Sequence, residues 1–307
     1  MMRAKSIHID SGEYELKILF ISPENAKKAV YATALLEKLV TVYPRAKVTV
    51  MGKMPGVALF GAAPHTDKMI VVENFAAPDV LKEALRRKWD MLIDAENLPL
   101  SILVRAKEKA RSVTPPFNEH PLKIYADMLS LNESDLNPFV WLAPELVRGA
   151  EKRLFKKEYV IGVAPFAEDG SFLWEPENFV TLLKRLTYPG NLFPASAIAL
   201  IGFEKNRIAA NQILAELPEW QRVNLVGGLG VLSIAACIGK CRLFLGGDNI
   251  MIHMAAVENV ATLAINAKDA DIIPRGRYTS VMQAENPTVD DVEQAVKDLW
   301  HGKLSQK

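Results

Sequence analysis

Residues 247–253 combine residue types that could bind an anion. They follow an apolar run that ends in two glycines, and small and apolar residues at helical spacing come after them, so we predict a strand, a sharp turn and a helix start. Asp248 stands where a helix N-cap belongs. The amide groups of Asn249 and Ile250, aided by the helix dipole, are then expected to hold a phosphate or another anion.

Asp248 and His253 each have two interpretations. Asp248 either orients the phosphate turn or contacts a bound sugar, or it serves only as the helix cap. A carboxylate and a diphosphate repel each other, so direct phosphate contact is assigned to the backbone amides. His253, one turn into the predicted helix, either touches the ligand or packs against the turn. The sequence leaves both alternatives open.

The length, the charge balance and the cysteine content of the chain exclude several classes of protein. The chain has 307 residues, more than one hydrophobic core usually holds, so two domains are predicted. Lys and Arg total 37 and Asp and Glu total 36, so no net field favours nucleic acid or a membrane. Cys237 and Cys241 lack further metal ligands, and we expect buried thiols. Because neither a signal peptide nor an apolar run of about 18 residues is found, a cytoplasmic soluble protein is expected.

Strands and helices alternate along the first half of the chain. Short apolar runs predict buried parallel strands. Ser22, Pro23 and Glu24 are expected to start the first helix as N-cap, first helical residue and first-turn acid. The predicted strands cover residues 16–21, 47–51, 69–73 and 89–94, and a short strand and turn are predicted at residues 111–115. The predicted helices cover residues 23–43, 80–88, 101–110 and 120–131.

A second alternation begins after an irregular stretch, residues 132–144, and a basic helix. We place the domain boundary at this helix, giving domains 1–153 and 154–307. Strands are predicted at residues 159–164, 197–201, 223–226, 243–245 and 262–266. Thr288 and Asp291 predict a capping box for a last helix, which could pack back on the first domain. The basic residues of the boundary helix could face anionic lipid or simply be solvated; they are Lys152, Arg153, Lys156 and Lys157.

Four motifs, in this order, resemble glycosyltransferase family 9, the ADP-heptose:lipopolysaccharide heptosyltransferases. They are residues 89–94 with Ser101, residues 119–120 with Tyr125 and Leu129, residues 161–162 with residues 174–179 (the latter similar to the family's WPxExF), and residues 244–259 (similar to its NDTGxxHLAA). The resemblance covers most of the chain. It implies an α/β chain with the GT-B fold, in which two Rossmann-like doubly wound domains face a central cleft. It also implies a nucleotide-diphosphate sugar donor in the second domain, an acceptor in the first, and no metal or other cofactor.

The sequence departs from the family pattern at several functional positions. The family aspartate that is presumed to deprotonate the acceptor is replaced within the pair Lys27 and Lys28, and the donor-phosphate lysine is replaced by Phe172. The family Thr-Gly becomes Asn249 and Ile250, and the isoleucine side chain is expected to narrow the approach to the turn. Leu100 and Asn259 replace a family lysine and a family glycine, respectively. The second change is mild because Asn tolerates the left-handed conformation.

A transfer reaction needs a base near the acceptor hydroxyl and positive charge near the leaving diphosphate. Glu24 is the acid nearest to the lost aspartate, and it is either the base or an ordinary first-turn acid. Lys28, with Lys27, could neutralise phosphate or form a solvated helix face. An ammonium is a poor base unless burial lowers its pKa. Glu24 and Lys28 are therefore the candidate catalytic residues.

The donor-binding set implied by the resemblance comprises Asp248, Asn249, Ile250, His253, Glu204, Ala167 and Leu229. Glu204 follows Gly202 at a strand end, where it could accept hydrogen bonds from a ribose or only start the next helix. Arg275 and Arg277 are further candidates for binding the diphosphate, and a surface loop is the alternative for them.

The sequence thus predicts a heptosyltransferase-like enzyme of lipopolysaccharide biosynthesis. It would transfer a sugar to a glycan or glycolipid acceptor, in the cytoplasm or peripherally at the inner membrane face, with no role for nucleic acid. The alternative is a degenerate, non-catalytic family member that binds a nucleotide sugar, a glycan or a partner transferase. A transferase whose donor or base has shifted is a third hypothesis.

Overall fold

The computed structural model describes residues 15–112, 119–154, 159–167, 169–265, 272–284 and 286–305. The chain divides into two compact units, Met1–Trp141 and Leu142–Lys307. The basic helix at the predicted boundary, α5 (Pro144–Arg153), packs against α8 (Val231–Ile238), so it belongs to the second unit. Lys156 and Lys157 of the predicted basic cluster lie outside the described residues.

The first unit contains a five-stranded parallel sheet in the order β3-β2-β1-β4-β5. Its central strand, β1, begins a Rossmann-like order in which later strands add on both sides. The strands are β1 (Lys17–Ile21), β2 (Lys47–Gly52), β3 (Thr66–Val71), β4 (Trp89–Asp94) and β5 (Ala106–Arg111), and the helices are α1 (Ala26–Val42), α2 (Pro78–Arg86), α3 (Leu100–Leu103) and α4 (Pro121–Leu129).

The predicted helix over residues 101–110 is wrong. The helix α3 ends at Leu103, and β5 pairs with β4 along the edge of the sheet. Residues 106–111 are mostly good helix formers, but their exposure alternates along the strand, because successive side chains point to opposite faces of the sheet. The lysines of this edge strand discourage further strand addition.

The second unit contains a six-stranded parallel sheet in the order β11-β10-β9-β6-β7-β8. Strands β6 to β8 extend the sheet in one direction, and β9 to β11 extend it in the other, so the order reverses between β6 and β9. The strands are β6 (Val160–Ala164), β7 (Ala197–Gly202), β8 (Arg222–Val226), β9 (Leu243–Gly246), β10 (Ala261–Ala264) and β11 (Thr279–Val281), and the remaining helices are α6 (Pro176–Leu186), α7 (Arg207–Ala215), α9 (Ile250–Val257) and α10 (Val289–Ser305).

Trp174 ties the start of α6 to the start of α10. Its ring packs edge-on against Phe179 at a centroid distance of 5.1 Å, and its indole N–H donates to the Pro287 carbonyl at 2.9 Å. The predicted capping box of α10 is confirmed, since the Asp291 amide donates to Thr288 Oγ1 at 3.2 Å and the Thr288 amide donates to the Asp291 carboxylate at 3.1 Å. Helix α10 then packs on α6 and β10 within the second unit.

Two smaller predictions are also confirmed. Cys237 and Cys241 are free and buried, and burial raises the pKa of both thiols, as expected of packing residues rather than reactive ones. Asn259 adopts the left-handed conformation with φ 58°, which asparagine tolerates. In the described part of the chain no helix has the length and apolarity needed to cross a membrane.

Candidate functional sites at the carboxyl edge of each sheet

Asn249 joins the loops that follow β6 and β9, the two strands between which the order of the second sheet reverses. Its side-chain amide donates to the Phe166 carbonyl at 3.0 Å, and its Oδ1 accepts from the amides of Met251 at 2.9 Å and Ile252 at 3.2 Å. Asn249 is fully buried. One side chain therefore shapes the crevice where open parallel sheets bind ligands and also caps α9.

The predicted N-cap, Asp248, is wrong by one residue because Asn249 performs that role. The Asn249 amide, which was expected to contact phosphate, donates instead to the Gly247 carbonyl at 2.9 Å. The Met251 and Ile252 amides are taken by the cap. The backbone amides of Asn249 and Ile250 were predicted to bind an anion. Of these two, the Ile250 amide takes no part in the hydrogen bonds just described.

The side chains of residues 248–253 differ in how far they are exposed to solvent. The Asp248 side chain is 28% exposed, whereas Ile250 and His253 are buried. His253 Nε2 lies 3.9 Å from Asp248 Oδ1, so the imidazole packs behind the carboxylate. The Ile250 side chain points into the protein, and it does not fill the solvent side of the turn as the sequence suggests. A ligand at this turn would thus contact Asp248, whereas His253 would lie behind Asp248 and out of reach of the ligand.

Three other predicted donor residues follow strands of the same sheet edge. Ala167 lies after β6, Glu204 after β7 and Leu229 after β8. Gly227 has φ +74°, and a Cβ atom there would lie 1.9 Å from Glu204 Oε2, so the Glu204 carboxylate covers the backbone of the next loop. The structure brings all seven predicted donor residues to the carboxyl ends of β6, β7, β8 and β9, where strand direction alone would place them together.

Basic residues at this edge were missed by the sequence analysis. In the described part of the loops after β6 to β9, including the first residue of α7, they are Lys205 and Arg207. A Cβ atom at Gly170 would lie 3.1 Å from Lys205 Cε, so Lys205 extends over the loop after β6. Arg207 is paired with Glu204 at 2.8 Å. Their adjacency to Glu204 was the available signal.

Phe172, at the position of the family lysine, has a structural role. It pairs with Phe166 through an antiparallel bridge, and the two rings lie 5.1 Å apart. Asn206 holds the same loop by donating from its side chain to the Gly170 carbonyl at 3.1 Å. Position 172 is therefore committed to packing, and positive charge here comes from the loop after β7.

The proposed diphosphate role of Arg275 and Arg277 is not supported by their position. Both precede β11, whose first residue, Thr279, is in register with Thr262 in the first half of β10. The loop also packs on the last turn of α9, since a Cβ atom at Gly276 would lie 1.9 Å from the Ala256 carbonyl. The two arginines therefore lie at the amino edge of the sheet, opposite Asp248, and a surface loop is the correct interpretation.

In the first unit, α1 begins later than predicted. The Ser22 amide still donates to Met51 of β2 at 2.8 Å, so Ser22 continues the strand ladder and is not the N-cap. Asn25 caps the helix by accepting from the amides of Lys27 and Lys28 at 2.9 and 3.3 Å. Glu24 consequently lies in the loop after β1 and not in the first turn of the helix.

Glu24 and Lys28, the predicted catalytic residues, lie at the carboxyl edge of the first sheet. The Glu24 carboxylate pairs with Lys53 at 2.9 Å. Lys28 is half-buried, and its carbonyl accepts from the Tyr125 hydroxyl at 3.4 Å. Lys27 is only 5% exposed, so the alternative of a solvated helix face is wrong for that residue.

Glu96 is a further acid of this edge that the sequence analysis missed. Its carboxylate accepts from the Glu24 amide at 2.8 Å, which joins the loops after β1 and β4. Burial raises the pKa of Glu96, and the Glu24 carboxylate adds to this rise, whereas the Glu24 amide and Lys28 oppose it. It could have been found from its place two residues after the polar end of a predicted strand.

No protein-family model matches this sequence, and no curated protein matches it either. Several solved structures share the fold. A glycosyl transferase family 9 protein from Veillonella parvula DSM 2008 has a TM-score of 0.76 at 13% identity, covering 99% of this chain and 100% of its own. E. coli ADP-heptose lps heptosyltransferase II has a TM-score of 0.71 at 19% identity, covering 95% and 99%. E. coli heptosyltransferase WaaC with ADP has a TM-score of 0.69 at 13% identity, covering 94% and 99%.

These likenesses confirm the predicted fold, an α/β chain of two Rossmann-like units with the GT-B architecture of the heptosyltransferase structures. The resemblance deduced from the four motifs is confirmed at the level of fold. In the described residues, no group of three His, Cys, Asp or Glu side chains is arranged to hold a metal ion.

Proposed function

We propose that this protein is a glycosyltransferase that moves a sugar from a nucleotide-diphosphate donor to a lipopolysaccharide-core or other glycan acceptor. One observation supports the proposal: the loops after β6 and β9, which carry Ala167, Asp248 and Asn249, flank the reversal point of the second sheet, and the loops after β7 and β8 continue along the same edge. Solved structures that share the fold include heptosyltransferase WaaC with ADP and with ADP-2-deoxy-2-fluoro heptose. A heptose-like sugar on ADP is therefore the first donor to test.

Each accessible group at the edge has a chemical role in this proposal. Asp248 accepts hydrogen bonds from sugar hydroxyls, because its charge opposes direct contact with a diphosphate. Glu204 accepts from the hydroxyls of the ribose. Lys205 and Arg207 place positive charge where the diphosphate leaves, which stabilises charge that develops during transfer. His253 is buried, and its Nε2 lies 3.9 Å from the Asp248 carboxylate.

The donor proposal is tested by calorimetric titration with ADP-, UDP- and GDP-sugars, followed by nucleotide release with bacterial core glycans. We expect one nucleotide class to bind and to be released in the presence of acceptor. Asp248→Ala should weaken donor binding about tenfold, the equivalent of about 1.4 kcal/mol. Asp298→Ala, on the surface of α10 where it accepts from Gln294, is the control and should bind as wild type does. No binding of any nucleotide sugar would refute the proposal.

A second function, binding of a nucleotide sugar without catalysis, is favoured by two observations. The amides of Met251 and Ile252 are taken by the Asn249 cap, and Phe172 is held in an aromatic pair instead of offering a cation. Tight donor binding without nucleotide release, over the full panel of acceptors, would establish this function instead.

We further propose that the protein acts in the cytoplasm, at the face of the inner membrane where a glycolipid acceptor would be presented. The exposed basic residues of α5, Lys152 and Arg153, are consistent with contact to anionic lipid. Sedimentation with vesicles containing anionic phospholipid, compared with neutral vesicles, tests this part. Equal recovery with both kinds of vesicle would remove it.

A further inference from the structure

We propose that Glu96 is the general base that deprotonates the acceptor hydroxyl. This inference rests on the proposed transferase function. It assigns the base to the loop after β4, whereas the sequence analysis offered Glu24 and Lys28 in the loop after β1 and the first turn of α1.

Three acids lie in or next to the loops after β1 and β4, and their contacts differ. Asp94 is fully buried, and its carboxylate accepts from the amides of Glu96, Asn97 and Leu98 at 3.1, 2.9 and 2.8 Å. Arg111 Nε also lies 3.6 Å from Asp94 Oδ2. Asp94 thus shapes the loop, and its oxygens are occupied.

Glu24 is occupied in another way. Its carboxylate lies 2.9 Å from the Lys53 ammonium, so its charge is already compensated by a neighbouring cation. Its contribution is its backbone amide, which holds Glu96.

Glu96 combines the properties that a base requires. It is half-buried, it is held by one backbone amide at 2.8 Å, and it lies beside the pair of strands, β1 and β4, where the order of the first sheet reverses. Ligands of open parallel sheets bind at that point. The titratable groups facing it are Glu24, Lys28, Asp94 and Tyr125. Burial and the two acids raise its pKa toward the operating pH, which is the range where a general base is effective.

The reaction step balances as a displacement at the anomeric carbon. The acceptor oxygen forms a bond to that carbon while the bond from the carbon to the diphosphate oxygen breaks. The hydroxyl proton passes to the Glu96 carboxylate. The nucleoside diphosphate leaves with the electron pair of the broken bond.

Glu96→Gln separates catalysis from structure, because the amide oxygen of glutamine can still accept from the Glu24 amide. We expect kcat for nucleotide release from an ADP-sugar with core glycan to fall about 10²- to 10⁴-fold. The calorimetric Kd for the donor should stay within about twofold of wild type. The acidic limb of the kcat/KM profile should disappear in this variant. Glu96→Asp should recover part of the rate.

Glu37→Gln is the matched control. Glu37 is another half-buried glutamate of the first unit, it accepts from the Thr41 hydroxyl at 3.0 Å, and it lies about 16 Å along α1 from the edge. It should keep both the rate and the pH profile. Wild-type release with an unchanged rate for Glu96→Gln would refute the base while leaving the transferase intact. Loss of the acidic limb in Glu24→Gln but not in Glu96→Gln would move the base to Glu24. Absence of release by the wild-type protein would overturn both proposals.

Discussion

In both units a hydrogen bond joins two loops at the carboxyl edge of the sheet, but the side chain that makes the bond differs. In each sheet, one hydrogen bond between a side chain and the backbone joins the loops on either side of the reversal point. In the first unit the Glu96 carboxylate accepts from the backbone amide of Glu24. In the second unit the side-chain amide of Asn249 donates to the Phe166 carbonyl. The backbone arrangement is therefore shared, and the joining group is not.

The difference lies in charge and burial. Asn249 is neutral and fully buried, so its bonds are independent of pH and protected from water. Glu96 is half-buried and titratable, so the bond it makes is coupled to proton binding. One edge is joined by a bond that does not titrate, and the other is joined by a bond to a titratable carboxylate.

Asn249→Ala should have the largest effect on stability. It removes the cap of α9 and leaves the Phe166 carbonyl and two helix amides without their buried partner, which should cost about 2–4 kcal/mol in the free energy of unfolding. Urea denaturation measures this loss. Asn211→Ala, on the exposed face of α7, is the control and should change stability by less than about 0.5 kcal/mol. Equal stability of the Asn249 and Asn211 variants would show that the buried amide does not hold the loops.

Asn25→Ala removes the equivalent cap in the first unit and should cost about 1 kcal/mol. The cost is smaller because Asn25 is only half-buried, so water can reach the amides that it releases. The same denaturation experiment applies. A cost as large as that of Asn249→Ala would mean that burial does not explain the difference between the two edges.

Lys205→Met should weaken binding of ADP by a few-fold, because it removes one cation while keeping the apolar stem over Gly170. The affinity should also become less sensitive to salt. Calorimetry at low and high ionic strength measures both effects. Lys184→Met, in the last turn of α6, is the control. An unchanged affinity and salt dependence would assign the positive charge to another residue.

Glu96→Gln should have the smallest effect on stability, and the size of this effect depends on pH. Because the folded pKa is raised above the ordinary value of 4.5, the folded protein retains a proton that the unfolded chain releases, and Glu96 lowers stability as the pH rises through this window. Glutamine does not titrate. The variant should therefore gain stability relative to wild type as the pH rises above 4.5, as measured by thermal unfolding. A difference that is constant with pH would contradict the raised pKa.

Much of the fold follows from local patterns. Strand β4 lies at residues 89–94 as predicted, and the turn after β9 is a helix start as predicted, because apolar runs and small residues are visible without tertiary contacts. The helix prediction for residues 106–110 was wrong because pairing with β4 overrides their helix-forming composition. Both N-caps were displaced, since the strand ladder past β1 and the buried bonds past β9 decide where each helix begins.

The sequence by itself determined the class of fold, the parallel sheets and the turn that carries Asp248, since these depend on periodicity over a few residues. Only the tertiary structure decided which side chains meet at the edges of the sheets. Glu96 meets Glu24 across 72 residues, Asn249 meets Phe166 across 83, and His253 is buried behind Asp248. Strand direction likewise decided that Arg275 and Arg277 lie at the amino edge of the second sheet. Contacts of this range depend on sheet order and register, which no local pattern encodes.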